Sequence, residues 1–387
     1  MVNGRARVLT AQVTAGFAVA MGIGRFVYTP ILPIMATALA LPAAWTSWIA
    51  AANYLGYLMG ALLLSRYPTW ISNMLLRTSL VLVVVTLAVM PWSEELIWFC
   101  AIRLLSGLAS AFVFVCLSHS AIDIGRKGGE PGLAYGGVGV GICLSSLLVL
   151  GLGPLTWGTL WYVSAGLAAV FTVPAYAIRL PTVEPAPATG GSSAVPEQGP
   201  GRASVRNRRA LMVTYFLEGV GYIIIGTYLV AVVQETTTTE IATSVWVVAG
   251  VAAIASPAIW RCLRMHASAR ATFAAAYTIQ LGAALLPLIS GSAAAAFVAA
   301  ALFGATFMGI TQLSISEAHE LRIKSAPARL TAVYGLGQIL GPILVAPVIG
   351  NGYSNAFILA TALLIGSILG SLLLLSLIHI SEPTRLL

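Results

Sequence analysis

Apolar residues run in long blocks along this chain, and polar residues collect between them. A helix needs about 20 consecutive apolar residues to cross the hydrocarbon core of a bilayer. Blocks of that kind centre near Ala20, Leu55, Val83, Gly107, Ile142 and Leu167. A polar break follows, and further blocks centre near Ile223, Gly250, Ala276, Ala301, Gln338 and Ile365. The pattern predicts an all-α membrane protein with twelve transmembrane helices, six on each side of the break. The break, residues 181–209, is rich in Pro, Gly and Ser and ends in Arg202, Arg206, Arg208 and Arg209. Such a stretch cannot bury enough surface to fold, so it predicts a flexible linker.

The two halves repeat one another at an offset of about 197 residues. Gly22-Ile23-Gly24 returns as Gly219-Val220-Gly221, Trp48 and Arg66 as Trp246 and Arg264, and Gly107 as Gly304. Gly139, Gly141, Leu144, Leu148 and Val149 return as Gly335, Gly337, Leu340, Leu344 and Val345. Separate segments that keep one register describe two same-direction copies, the architecture of a two-bundle secondary transporter. The expected organisation is an N-terminal six-helix bundle over residues 1–180, a cytoplasmic linker over 181–209 and a C-terminal six-helix bundle over 210–374. Residues 375–387 resemble translated sequencing-adaptor sequence, and His379, Glu382 and Arg385 are left out of the functional reading.

Charge fixes the orientation. The chain is 59% hydrophobic and 8% charged, against about 25% charged in a soluble domain. Its net charge of +8 would suggest nucleic acid if it were not distributed by loop. Of twenty Lys and Arg, all but Arg25, Arg103 and Arg385 fall in the N-terminus, the alternate loops or the linker. The opposite loops carry only Glu94, Glu95, Glu235 and Glu240. By the positive-inside rule, both termini and the linker are cytoplasmic. The basic excess therefore reports topology, and no nucleic-acid partner is expected. Cys100, Cys116, Cys143 and Cys262 read as apolar packers, and no metal cluster or cofactor motif is present. Gly137-Val-Gly139-Val-Gly141 lies inside an apolar block with no strand before it, so it is not a dinucleotide loop.

A charge at the bilayer centre costs about 2.5–3.5 kcal/mol on insertion scales, and such residues mark pathways. Arg25 lies midway along the first span, with Tyr28 on its helix face and Gly22, Gly24, Pro30 and Pro33 around it to loosen the helix. It reads as a cation facing an anionic substrate group or a carboxylate. Glu218, on span seven, shares a face with Tyr215 and Tyr222. A carboxyl in an apolar, partly dry site can take up and release a proton, so Glu218 is the candidate for proton coupling. A fixed ion pair with Arg25 or Arg103 is the structural alternative. Arg103, Asn53, Tyr54, Gln280 and Gln338 complete the polar cavity candidates. Substrate binding is thus assigned to Arg25, Tyr28, Asn53, Arg103, Tyr215, Tyr222 and Gln338. No catalytic residue is expected: Glu317, His319 and Glu320 are the nearest approach to an enzymatic cluster.

The two six-span halves, the basic linker and Arg103-x-x-x-Gly107 resemble the major facilitator superfamily. Gly22-Ile-Gly-Arg-Phe-Val-Tyr-Thr-Pro30, Ala51-Ala-Asn-Tyr-Leu-Gly-Tyr57, Tyr215-Phe-Leu-Glu-Gly-Val-Gly-Tyr222 and Gly337-Gln-Ile-Leu-Gly-Pro342 resemble its YbfB/YjiJ-type group. The resemblance implies alternating access between two bundles in the cytoplasmic (inner) membrane of a bacterium. The expected function is proton-coupled transport of a small organic solute, anionic or zwitterionic, by a monomer. The alternatives are a multidrug–proton efflux antiporter and a polytopic membrane enzyme. Two signatures of the superfamily are missing. The loop after span two reads Ser65-Arg66-Tyr67-Pro68, without the usual aspartate. The Gly-Pro of antiporters appears as Gly341-Pro342 in span eleven rather than in span five.

Overall fold

A computed structural model describes residues 4–152, 155–180, 202–345 and 354–374. The adaptor-like tail and residues 181–201 of the expected linker lie outside these. Among the described residues, twelve helices are long and apolar enough to cross a membrane. In the first half they are Ala6–Ala38, Trp48–Arg66, Asn73–Trp92, Leu96–Arg126, Pro131–Leu152 and Trp157–Tyr176. In the second half they are Val205–Val230, Glu240–His266, Ala269–Ile289, Ala293–Glu320, Ala326–Val345 and Ser354–Ser371. They are called spans one to twelve below.

The helix that carries span seven begins at Arg202, so residues 202–209 are helical rather than part of a flexible linker. Asn207, Ala210 and Leu211 are buried, and Arg208 donates from Nε to the Leu321 carbonyl at 3.0 Å. Burial of one face thus extends the helix past the apolar block that sequence alone marks.

The repeat is a repeat of helix contacts. A methyl group on Gly107 of span four would stand 2.0 Å from the Asn53 carbonyl oxygen of span two. On Gly304 of span ten it would stand 2.1 Å from the Ala249 carbonyl oxygen of span eight. Gly22 abuts Gly141 between spans one and five, and their repeat mates Gly219 and Gly337 abut each other between spans seven and eleven. Small residues let these backbones touch, which is how helices associate in lipid, where apolar burial alone gives no preference. Even a cap recurs: Ser72 accepts from the Leu75 N–H, and Ser268 from the Ala271 N–H. Trp48 and Trp246 break the correspondence, the first exposed on the outer surface and the second buried.

The bundles meet along two seams. Gly132, Gly136 and Gly139 of span five lie against Ala258, Ile254 and Gly250 of span eight. Span two runs beside span eleven, where Gly335 packs on Leu58. The exposed perimeter is apolar, with Met74, Ile97, Val173 and Leu369 outermost, as a lipid-facing surface requires.

Candidate functional site

Span one is broken where the site lies. Ala18–Ile23 is a π-helix, a turn covers Gly24 to Val27, and the α-helix resumes at Tyr28. The Gly24 N–H reaches back five residues to the Val19 carbonyl. Thr29 donates to the Phe26 carbonyl, and Pro30 has no N–H to offer. The carbonyls of Gly24 and Arg25 are thereby released from the helical ladder, and a freed carbonyl in a membrane must find another donor.

Arg103 donates to both, and the Ser106 hydroxyl adds a longer bond to the Gly24 carbonyl at 3.4 Å. Arg103 Nη1 reaches the Gly24 carbonyl at 3.1 Å and its Nη2 the Arg25 carbonyl at 3.2 Å. Its guanidinium lies 4.8 Å from the centre of the Tyr28 ring, and the Tyr28 hydroxyl donates to the Thr46 carbonyl. Both residues are buried and committed to span one and its neighbours. They hold the break in shape, and of the Arg103 guanidinium only Nε is left buried without a partner.

Arg25, inside the break, is 4% exposed. Its Nε donates to Asn53 Oδ1 at 3.2 Å and its Nη2 to Gln338 Oε1 at 2.9 Å. The second bond crosses from one bundle to the other. Nη1 has only the Met21 sulfur, at 3.9 Å. The guanidinium is seated 4.0 Å from the centre of the Tyr57 ring, with Tyr54 and Phe26 farther out. Asn53 in turn donates to the Arg103 carbonyl. An arginine can only donate, so the amide oxygens of Asn53 and Gln338 must face it. Gln338 Nε2 is then left buried without an acceptor. Among the described residues no carboxylate pairs with Arg25 or with Arg103.

Glu218 sits in the other bundle and is 0% exposed. Gln280 of span nine donates to its Oε1 at 3.0 Å, while its Oε2 has no partner. Tyr215, Tyr277 and Tyr334 stand within electrostatic reach. The sequence reading left open an ion pair between Glu218 and Arg25 or Arg103, and neither pair is formed. Tyr222 is the residue that feels both charges, Arg25 from one side and Glu218 from the other.

Close by, where the bundles meet, lies a small cavity of about 10 Å³, close to the space one water needs. Met21, Tyr57 and Phe114 line it from the N-terminal bundle. Tyr215, Tyr222, Phe307, Thr311, Thr331 and Tyr334 line it from the other. The aromatic rings form a continuous wall. Tyr215 stacks on Tyr334 at 4.7 Å, Tyr222 lies 5.2 Å from Tyr334 and 5.3 Å from Phe307, and Phe303 continues to Trp246. The hydroxyls of Thr331 and Tyr334 are buried without partners. Of the candidates named from sequence, Tyr215 and Tyr222 line the cavity itself. Arg25, Asn53 and Gln338 do not line it; Arg25 adjoins it through Met21 and Tyr57, two of its lining residues, and Arg103 and Tyr28 are engaged with the break in span one.

Sequence reasoning missed Tyr57, Thr331 and Tyr334. Helical spacing carried the signal: Tyr57 is four residues after Asn53, and Tyr334 four before Gln338, so each pair shares a face.

The bundles are also tied on either side of the cavity. Toward the acidic loops, Phe26 meets Trp246 and Phe307 across the interface. At the basic end, Glu130 pairs with Arg261, and Arg126 Nη2 lies 3.2 Å from His319 Nε2. Within the C-terminal bundle at this end, Arg264 of span eight bonds Glu317 and Glu320 of span ten. A vestibule of about 880 Å³ opens at this end, with His119, Asp123, Arg126 and Arg322 in its wall. Among the described residues no His, Cys, Asp and Glu cluster suited to a metal is present.

The fold and the sequence both have relatives. A solved structure of the nucleoside transporter NupG superposes with a TM-score of 0.69 over 95% of this chain and 100% of that one, at 12% identity. That likeness is one of fold. No curated protein matches the chain. The family described as the uncharacterised MFS-type transporter YbfB matches residues 17–374. The chain belongs to this family of the major facilitator superfamily and is a multi-pass membrane transporter of the secondary type.

Proposed function

We propose that this transporter moves a small organic anion together with protons, by alternating access of the cavity between the bundles. One observation carries the reading: two buried guanidinium groups without a carboxylate in one bundle, and a buried carboxyl without a cation in the other. Unpaired charges of this kind are costly inside a membrane, and side chains that carry them persist where a solute or a proton completes them. An anion would complete Arg25, taking the place of Gln338 on the guanidinium. A proton would complete Glu218, whose Oε2 lacks a partner. Solute and proton then enter as a pair that adds no net charge, and the bundles are free to rock about the two seams. The basic end faces the cytoplasm in this reading, which puts both termini there, in the cytoplasmic membrane of a bacterium.

The test is Glu218→Gln, which mimics the protonated acid. In proteoliposomes with an imposed proton gradient, the variant is expected to lose gradient-driven accumulation across a metabolite panel while keeping solute exchange at equilibrium. Normal accumulation would make Glu218 a structural residue. A second reading, efflux of lipophilic cations in exchange for protons, draws on the same aromatic wall and on Glu218. It leaves Arg25 unexplained.

A further inference from the structure

We propose that the solute is a planar aromatic carboxylate, its acid group held by Arg25 and its ring inserted into the stacked wall of the C-terminal bundle. This rests on the anion-transport reading above and names the chemical class of its ligand.

In and beside the cavity stand donors that have not found acceptors. Arg25 Nη1 has only a thioether, and that thioether belongs to Met21, a residue lining the cavity. Gln338 Nε2 has no partner, nor have the hydroxyls of Thr331 and Tyr334. An ammonium group would meet a guanidinium here; a carboxylate would accept from it. The planar fork of Arg25, its stem fixed on Asn53 and its face on Tyr57, is oriented as carboxylate recognition requires.

The aromatic wall of the cavity selects for a ring. Tyr215 and Tyr334 are within 16° of parallel, and Tyr222 and Phe307 within 23°. The cavity is small because these rings close on one another. A flat arene can take the place of a ring in such a stack and return nearly all of its contact. A puckered aliphatic ring or a chain cannot do so, because stacking needs two flat faces. The wall offers little to a sugar-like solute, since its open hydroxyls, Thr331 and Tyr334, are too few to match a polyol.

The experiment measures binding to the purified full chain in nanodiscs by isothermal titration. The probes are benzoate, 2-naphthoate, cyclohexanecarboxylate and benzylamine. Benzoate and naphthoate are expected to bind, cyclohexanecarboxylate roughly three- to tenfold more weakly, and benzylamine not at all. Arg25→Lys should weaken the arene acids roughly tenfold through loss of the fork. Tyr334→Leu should erase the preference of arene over cyclohexane while retaining that of acid over amine. Because that split is read within one variant, a general loss of fold cannot imitate it. Equal binding of the two ring types, stronger binding of the amine, or no arene-acid binding at about 1 mM would each overturn the proposal. Arene acids that bind but are never accumulated with protons would uphold it and sink the coupling reading instead.

Discussion

Two arginines one break apart do different work. Arg103 spends its Nη1 and Nη2 on the carbonyls that the broken first span releases, whereas Arg25 has Nη1 only on the sulfur of Met21, a residue of the cavity wall. Removing Arg103 leaves the Arg25 carbonyl without its donor and the Gly24 carbonyl with the Ser106 hydroxyl alone, at about 1–3 kcal/mol for a buried group left unpaired. Arg103→Ala is therefore expected to lower the thermal unfolding midpoint of the detergent-purified protein by several degrees. An unchanged midpoint would mean that other groups already cap those carbonyls. Arg25 and Glu218 were legible in the sequence because a charge in an apolar block is conspicuous. The tyrosines were not, since an aromatic residue suits a lipid-facing side, a packed core or a ligand wall equally well. Only the rotation of each helix separates those roles. Gln280 shows the same limit: its amide was visible on span nine, but its bond to Glu218 depends on how two helices face.

At the scale of helices, the glycines of the repeat make a paired prediction. Gly107→Ala would press a methyl on the Asn53 carbonyl, and Gly304→Ala on that of Ala249, so each should part its helix pair. Overpacking of this kind costs about 1–3 kcal/mol. Gly151 and Gly166 have no neighbour within 4 Å of such a methyl, so Ala there is expected to be neutral or slightly stabilising. Thermal unfolding of the four variants checks the set, and equal behaviour of all four would refute the contact reading. The helix count and the register of the two halves were readable because length and repetition are one-dimensional properties. The start of span seven was not, because Arg202 to Arg209 looks like a linker until Asn207 and Leu211 are seen buried. Trp48 and Trp246 carry the opposite lesson: one repeated residue serves two environments, since only the second faces the other bundle.

At the scale of the whole molecule, orientation and closure are linked. The basic loops all lie at one end, which the positive-inside rule assigns to the cytoplasm. Reporter fusions near Arg264 should be cytoplasmic and fusions near Glu94 external; the reverse would invert the topology. At that same end, Glu130 with Arg261 and Arg126 with His319 are the polar ties between bundles. Both ties are partly exposed, so each contributes little to overall stability, on the order of 1 kcal/mol or less. A population balance between two bundle arrangements is sensitive to such small terms, because about 1.4 kcal/mol shifts it tenfold. Loss of the Glu130–Arg261 pair should therefore leave unfolding nearly unchanged yet favour opening at the basic end. Leu313, buried in the wall of a second cavity of about 470 Å³ that Arg261 also lines, offers the readout. With Cys262→Ser removing the exposed native thiol, a cysteine placed at Leu313 should react faster with a water-soluble maleimide in Glu130→Gln or Arg261→Gln. The double substitution should add little to either single one, because both remove the same tie. Additive acceleration would show that the two residues act through separate contacts. An unchanged rate would show that the seam of glycines between spans five and eight, rather than the ion pair, keeps this end shut.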